Sequence, residues 1–233
     1  MSNLFKKFEG VSDVKADVDT LGGSKFSPWE SGVYDAVVEL AYVDESKGGA
    51  MSINFTFKTQ EGKELRQNIF ITSGKEKGQL NYYTDKDGNK KYLPGFVTVN
   101  DICLLSMGEE LSSIETETKV LSIYNYDQKK EVPTKKEVLT DLIGKEITLG
   151  VLKVVQDKYN KPGETQTIND ISKVFRTSDK MTANEIKSEA SLAEFYEAWK
   201  EKNTGNTINK VGKGNSSTAK PAEDKPKKSL FTK

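Results

Sequence analysis

The chain has 233 residues, 35% of them hydrophobic and 30% charged, with 35 basic and 35 acidic side chains and no formal net charge. That length holds one good-sized domain with appendages, or two small ones, and zero net charge excludes an all-over polyanion binder, so any nucleic-acid site has to come from charge segregation. A single cysteine, Cys103, and the lack of histidine exclude an internal disulfide framework and imidazole-dependent catalysis, and remove the usual ligands of zinc.

Residues 1–31 read as an N-terminal extension. Leu4, Phe5 and Phe8 suit a short amphipathic turn, and residues 1–8 lack the apolar core of a secretory signal. No apolar run in the sequence approaches the roughly 20 residues that span a bilayer. The expectation is a soluble, cytoplasmic protein without membrane contact. Residues 27–32 form a loop into the first strand, with Trp29 as a lid on the end of a barrel rather than a ligand platform.

Three strands follow in a row, over 33–43, 51–58 and 64–72. Polar and glycine-containing turns join them, as in a meander. Each strand alternates. Tyr34, Ala36, Val38, Leu40 and Tyr42 share one face of the first. Met51, Ile53, Phe55 and Phe57 share one face of the second, and Leu65, Gln67, Ile69 and Ile71 one face of the third. Successive strand side chains point to opposite faces, so these sets are predicted to meet in one core. The opposite face then carries Asn54, Thr56, Lys58, Arg66, Asn68, Phe70 and Thr72, which is polar and cationic around one large aromatic.

The next segment, 73–95, is long. Within it residues 81–83 and 90–92 flank Asp-Gly-Asn and read as a hairpin, since these residues favour tight turns. Asp85 and Asp87 followed by Gly88 suggest a calcium loop only superficially. The glycine comes too early, and Phe96 stands where a closing glutamate belongs. A helix of about three turns is predicted over 97–107, ending at Gly108, with Cys103 as a small buried hydrophobe. A strand is predicted over 119–126, and a short helix over 134–142 with Thr134 as its N-cap. Strands over 145–156 and 165–176 flank a turn at 157–163. Two helices follow, over 181–190 and 192–202. Ser191 is read as the cap of the second, and Leu192, Phe195, Tyr196 and Trp199 as its packing stripe. From Asn203 onward the chain is too polar to offset its ordering entropy and is expected to be disordered. Residues 210–233 hold seven lysines against two acidic residues, so this tail is basic and the remainder net acidic.

The expected fold is mainly β: an OB-fold-like β-barrel over 32–176 with an inserted helix and strand region. C-terminal helices over 177–203 and a disordered basic tail over 204–233 complete it. Such a barrel binds single strands across its second and third strands and the neighbouring loops, using cations for phosphates and aromatic faces for bases. The candidate nucleic-acid-binding residues are therefore Lys58, Arg66 and Phe70 on the outward face, Tyr82, Tyr83, Lys90, Lys91 and Tyr92 in the hairpin, and Lys158, Tyr159 and Lys161 in the last turn. Tyr124 and Tyr126 are weaker candidates. Leu230 and Phe231, apolar residues in an otherwise polar tail, are a candidate docking peptide. Carboxylates such as Asp85, Asp87, Glu109 and Glu110 form no spacing that supports a metal or hydrolytic site, so neither a cofactor nor an enzyme is expected.

Gly32-Val-Tyr-Asp-Ala-Val-Val-Glu-Leu40, Met51-Ser-Ile-Asn-Phe-Thr-Phe-Lys58, Glu64-Leu-Arg-Gln-Asn-Ile-Phe-Ile71 and Asp141-Leu-Ile-Gly-Lys-Glu-Ile-Thr-Leu149 together resemble the OB-fold single-stranded DNA-binding proteins of bacteriophages. The resemblance covers residues 30–176. It implies protection of single-stranded DNA during phage replication and recombination, in the cytoplasm of a bacterial host, with binding that is not sequence-specific and weakens with salt. Such proteins often end in an acidic tail that recruits a polymerase or helicase, whereas the tail here is basic. Leu230 and Phe231 remain available to contact polymerase, helicase or primase, and the lysines around them are suited to adding DNA affinity. The alternative is a structural or virion-associated β-domain whose loops contact other proteins.

Overall fold

The computed structural model describes residues 27–125, 128–159 and 161–212. The fold is mainly β. Strands β1 (Gly32–Glu45), β2 (Met51–Thr59) and β3 (Glu64–Phe70) form the expected antiparallel meander. Strands β4 (Tyr82–Thr84) and β5 (Lys90–Tyr92) form the small separate hairpin read from the Asp-Gly-Asn turn. Helix α1 (Pro94–Met107) starts a turn earlier than expected, because Pro94 occupies a first-turn position that suits its fixed φ and missing N–H. Its end at Gly108, in the left-handed conformation, is as predicted.

Beyond α1 come β6 (Glu117–Asn125), β7 (Lys130–Val138), β8 (Glu146–Asp157), β9 (Thr165–Phe175), α2 (Ala183–Lys187), α3 (Glu194–Asn203) and β10 (Thr207–Asn209). In the main sheet β10, β8, β1, β2 and β3 lie in that order; β9 flanks β8, and β7, carrying β6, joins β1 at Tyr42 and Val138. The sheet is not closed into a barrel. Strands β3 and β9 approach each other but share no ladder among the described residues, and α1 packs against β3, β8 and β9. The helix thus fills the space that direct strand pairing would have closed.

The core lies between the inner face of the meander, β8, β9 and α1. Phe57, Val38, Ile147, Leu149, Val99, Ile102 and Cys103 are fully buried there, and Phe55 stacks on Phe57 with ring centroids 5.1 Å apart. Each buried side chain of this size contributes about 1.5–3 kcal/mol. Burial pushes the Cys103 thiol up to about 12.

Several expectations are corrected. The register of β1 against β2 shifts between Val38 and Leu40. This bulge adds a residue and reverses the faces beyond it, so Ala41 is buried in the core, Val43 packs against it, and Tyr42 turns to the outer face. Residues 134–138, predicted to open a helix, belong to β7. There Val132, Thr134, Lys136 and Val138 are the more buried set, and pairing with β6 overrides a weak local preference. The Thr134 hydroxyl donates to the Val132 carbonyl instead of capping a helix, and only Thr140–Leu142 makes a single 3-10 turn.

The polar stretch expected to be disordered includes β10, which runs parallel to β8 at Lys153–Val155. It is held by the Gly205 N–H donating to the Ser31 carbonyl and by the buried Ser31 hydroxyl, which donates to the Asn206 carbonyl. Ser191 does not cap α3. The Glu185 carboxylate accepts the Phe195 N–H at 2.9 Å, while its capping box with Thr182 fixes α2. Of the α3 stripe, Trp199 is buried, and its ring lies so close to Gly150 that an added Cβ there would come within 3.1 Å of it. Leu192 precedes the helix and is exposed. Trp29 packs on the core against Tyr34, and the Asn169 side-chain amide bonds both its N–H and its carbonyl. No helix among the described residues is long and apolar enough to cross a membrane. Leu230, Phe231 and Tyr126, and the extension up to residue 26, lie outside the described residues.

Candidate nucleic-acid interface

Strand register sets out the outer face of the meander in rows. Tyr42, Asn54 and Asn68 form one row, Leu40, Thr56 and Arg66 the next, and Ser52 and Phe70 sit at the end nearest the β4–β5 hairpin. Phe70 is half exposed while Ser52 beside it is buried. The side-chain amide nitrogen of Asn54 is buried in this face without a hydrogen-bond partner. An unpaired buried donor on a solvent-facing sheet is costly, so a ligand acceptor there is favourable.

The hairpin is fastened beside Phe70. The Ser73 N–H donates to the Leu80 carbonyl, and the Leu93 N–H to the Asn81 carbonyl. Gly95, in the first turn of α1, touches the end of β3 so closely that a Cβ would lie 2.1 Å from the Phe70 carbonyl oxygen. Tyr82 pairs with Tyr92 across the hairpin, and Lys90 places Nζ 4.1 Å from the Tyr82 ring centroid and 4.8 Å from that of Tyr92. Phe96 continues the row, stacked on Tyr92 at 5.5 Å and 22°. At the tip, the Asp85 carboxylate accepts the Asn89 N–H at 2.8 Å and the Asp87 N–H at 3.0 Å. The Asn89 amide foremost, with that of Asp87 and the nearby Lys91, holds the Asp85 carboxyl below its usual range.

Phe70, Tyr83 and Tyr92 are each about half exposed, at 50%, 49% and 49%, but the hairpin register places Tyr92 on the face of Tyr82 and Lys90, and Tyr83 on the opposite face, beside Lys91. Tyr82 is more covered, by Lys90. Tyr159 is 79% exposed. Its turn follows β8, which runs antiparallel to β1 toward and beyond Gly32, at the opposite end of the meander from the hairpin. The predicted residues therefore divide into a hairpin group with Phe70, a middle group of Lys58 and Arg66, and a distant turn.

The predicted cations are mostly paired with carboxylates. Lys58 meets Glu39 at 3.3 Å, Arg66 meets Glu64 at 3.4 Å, and Lys91 meets Asp85 at 3.7 Å. Lys158 and Lys161 share Glu164 at 2.8 and 3.9 Å. Such exposed pairs are worth about 0–1 kcal/mol and are readily exchanged. Sequence reading missed Tyr42, because nothing local announces the bulge. It also missed Phe96, although its place four residues after Tyr92, across Pro94-Gly95, was a usable signal. On the outer face, partial burial raises the Tyr42 phenol, Asp44 adds to the rise, and Arg66 opposes it.

Among the described residues no group of three or more histidine, cysteine, aspartate or glutamate side chains is arranged to hold a metal ion. No protein-family model and no curated protein matches the sequence.

Proposed function

We propose that the chain is a non-sequence-specific single-stranded DNA-binding protein without catalytic activity. It lays the strand across the outer face of β1–β3 and over the β4–β5 hairpin, in the manner of the OB-fold-like proteins it resembles. The observation that carries this reading is half-exposed Phe70 at the end of a face that holds Tyr42 and the unpartnered Asn54 amide, with the hairpin fastened beside it carrying Tyr82, Tyr92 and Lys90 on one of its faces and Tyr83 and Lys91 on the other. Bases stack on the rings, and phosphates displace the weakly held carboxylates from Lys58, Arg66 and Lys91. The order β1–β2–β3, a packing helix, then β8 and β9 supports reading the unclosed sheet as OB-like, with β6–β7 as an insertion. The role is protection of single-stranded DNA in phage replication and recombination, in the host cytoplasm. Leu230 and Phe231 would offer a contact to polymerase, helicase or primase.

Fluorescence titration with labelled oligo(dT), at low and raised salt and beside a duplex of equal length, tests the class. Micromolar or tighter binding that prefers the single strand and weakens with salt supports it. A second reading, a structural or virion-associated β-domain that contacts proteins, is favoured by the carboxylates that already pair the cations of the face. It is the reading left if both nucleic acids bind equally weakly.

A further inference from the structure

Among the described residues the β6–β7 hairpin pairs with the main sheet through β7, where Tyr42 meets the buried Val138. Its two strands differ in how their outer edges are guarded. Strand β7 carries Pro133 and the charged Lys130, Glu131, Lys135, Lys136 and Glu137, which are features that discourage further pairing. Strand β6 has no proline, and its only charged residues are Glu117 and Lys119. No strand other than β7 pairs with β6 among the described residues. It also exposes Val120 at 64%, with Leu121 and Ile123 half-buried on the other side of the strand. A long, apolar, unguarded edge is a template for strand addition.

We propose that β6 is a self-association edge, taken up by β6 of a second copy of this chain in antiparallel, two-fold-symmetric pairing about Leu121. Charge and shape select this occupant. Antiparallel pairing about that residue sets Leu121 opposite itself, Lys119 opposite Ile123 and Val120 opposite Ser122, so no like charges face each other. A two-fold axis one pair further toward the start of the strand, at Lys119, would oppose two lysines. On one face the pairing gathers Leu121 and Ile123 of both copies. Each Ile123 is backed by Val132 across its own hairpin and faces Lys119 of the other copy, so the two Leu121 side chains form the apolar centre of the joint, with an Ile123 beside each. Such contacts are the unit of sheet stabilisation, and an isologous interface needs only one surface. The Thr118–Glu137 and Ser122–Glu131 hydrogen bonds, at 2.6 and 3.0 Å, already stiffen the hairpin to present that edge.

The test is the solution mass of the full chain by sedimentation equilibrium over a range of concentrations. The wild type is expected to be a dimer. Leu121→Lys, which puts two lysines across the axis, is expected to be a monomer with an unchanged thermal melt. Mixing Leu121→Lys with Leu121→Glu is expected to restore a dimer through the opposite charges, and this also answers for any loss of folding in either variant alone. A monomeric wild type would overturn the proposal and leave the edge for an extended segment of another protein. A Leu121→Lys variant that stays dimeric, or a mixture that stays monomeric, would overturn it too.

Discussion

Lys90 sits over the ring of Tyr82, its Nζ 4.1 Å from the centroid, and reaches the Tyr92 ring at 4.8 Å as well. One cation therefore occupies the ring faces that bases would use, and a stacking base has to displace it toward the phosphates. Replacing Tyr82 and Tyr83 together by alanine, or Phe70 alone, is expected to weaken oligo(dT) binding by ~1–3 kcal/mol. All these rings lie outside the core, so thermal melts should be unaltered. Unchanged affinity in both variants would remove stacking from the account.

Gly95 locks the start of α1 onto the Phe70 carbonyl. In Gly95→Ala the new Cβ meets backbone, which cannot rotate away. The expected result is a loss of about 1–3 kcal/mol in urea unfolding, with weaker oligo(dT) binding because Phe70 and the hairpin move together. A variant with wild-type stability would show that the contact is not tight.

Glu185 ties α2 to α3. Partial burial pushes its carboxyl up, but the Thr182 and Phe195 amides and the Thr182 hydroxyl outweigh this and hold it below its usual value. Asp179 is lowered likewise, chiefly by Arg176. Groups lowered in the fold stabilise it fully above their unfolded values, and that contribution is lost as pH falls through the folded ones. Urea midpoints should hold steady from neutrality to roughly pH 5 and drop below about pH 4. Glu185→Gln, which keeps the shape but not the charge, should flatten that drop. An identical acid profile in the variant would contradict the assignment.

Cys103 is fully buried among Val99, Ile102 and the sheet, and its thiol is pushed up to about 12. A thiol held protonated and out of solvent does not react. Aromatic disulfide reagents are expected to leave it unmodified in the folded protein and to modify it fully in urea. Rapid labelling of the native chain would show that α1 opens.

Much of the fold was legible in the sequence. The meander, the Asp-Gly-Asn hairpin, α1 and the β8–β9 pair all carry periodicity or turn chemistry within a few residues. The misses share one cause, which is pairing decided at long range. The bulge at Val38 and Leu40 is visible only against β2, and it moved Tyr42 from the expected core to the outer face. In β7, Thr134 followed by Lys135, Lys136 and Glu137 suits the start of a capped, solvated helix equally well until β6 supplies hydrogen bonds. Thr207, Ile208 and Asn209, in an otherwise polar stretch, form β10 because β8 offers them an edge. Of the candidate site, the residue types were readable and their grouping was not. Phe70 joins the hairpin through Gly95, whereas Tyr159 is carried to the other end of the meander.

The central claim is the path of a single strand over Phe70 and the hairpin. Ultraviolet cross-linking of the full chain to oligo(dT), followed by peptide mapping, tests it most directly. Cross-links at Phe70, Tyr83 and Tyr92, with further ones at Tyr42, are the predicted result. Cross-links confined to the β6–β7 hairpin or to α3, or none at concentrations that saturate binding, would contradict it.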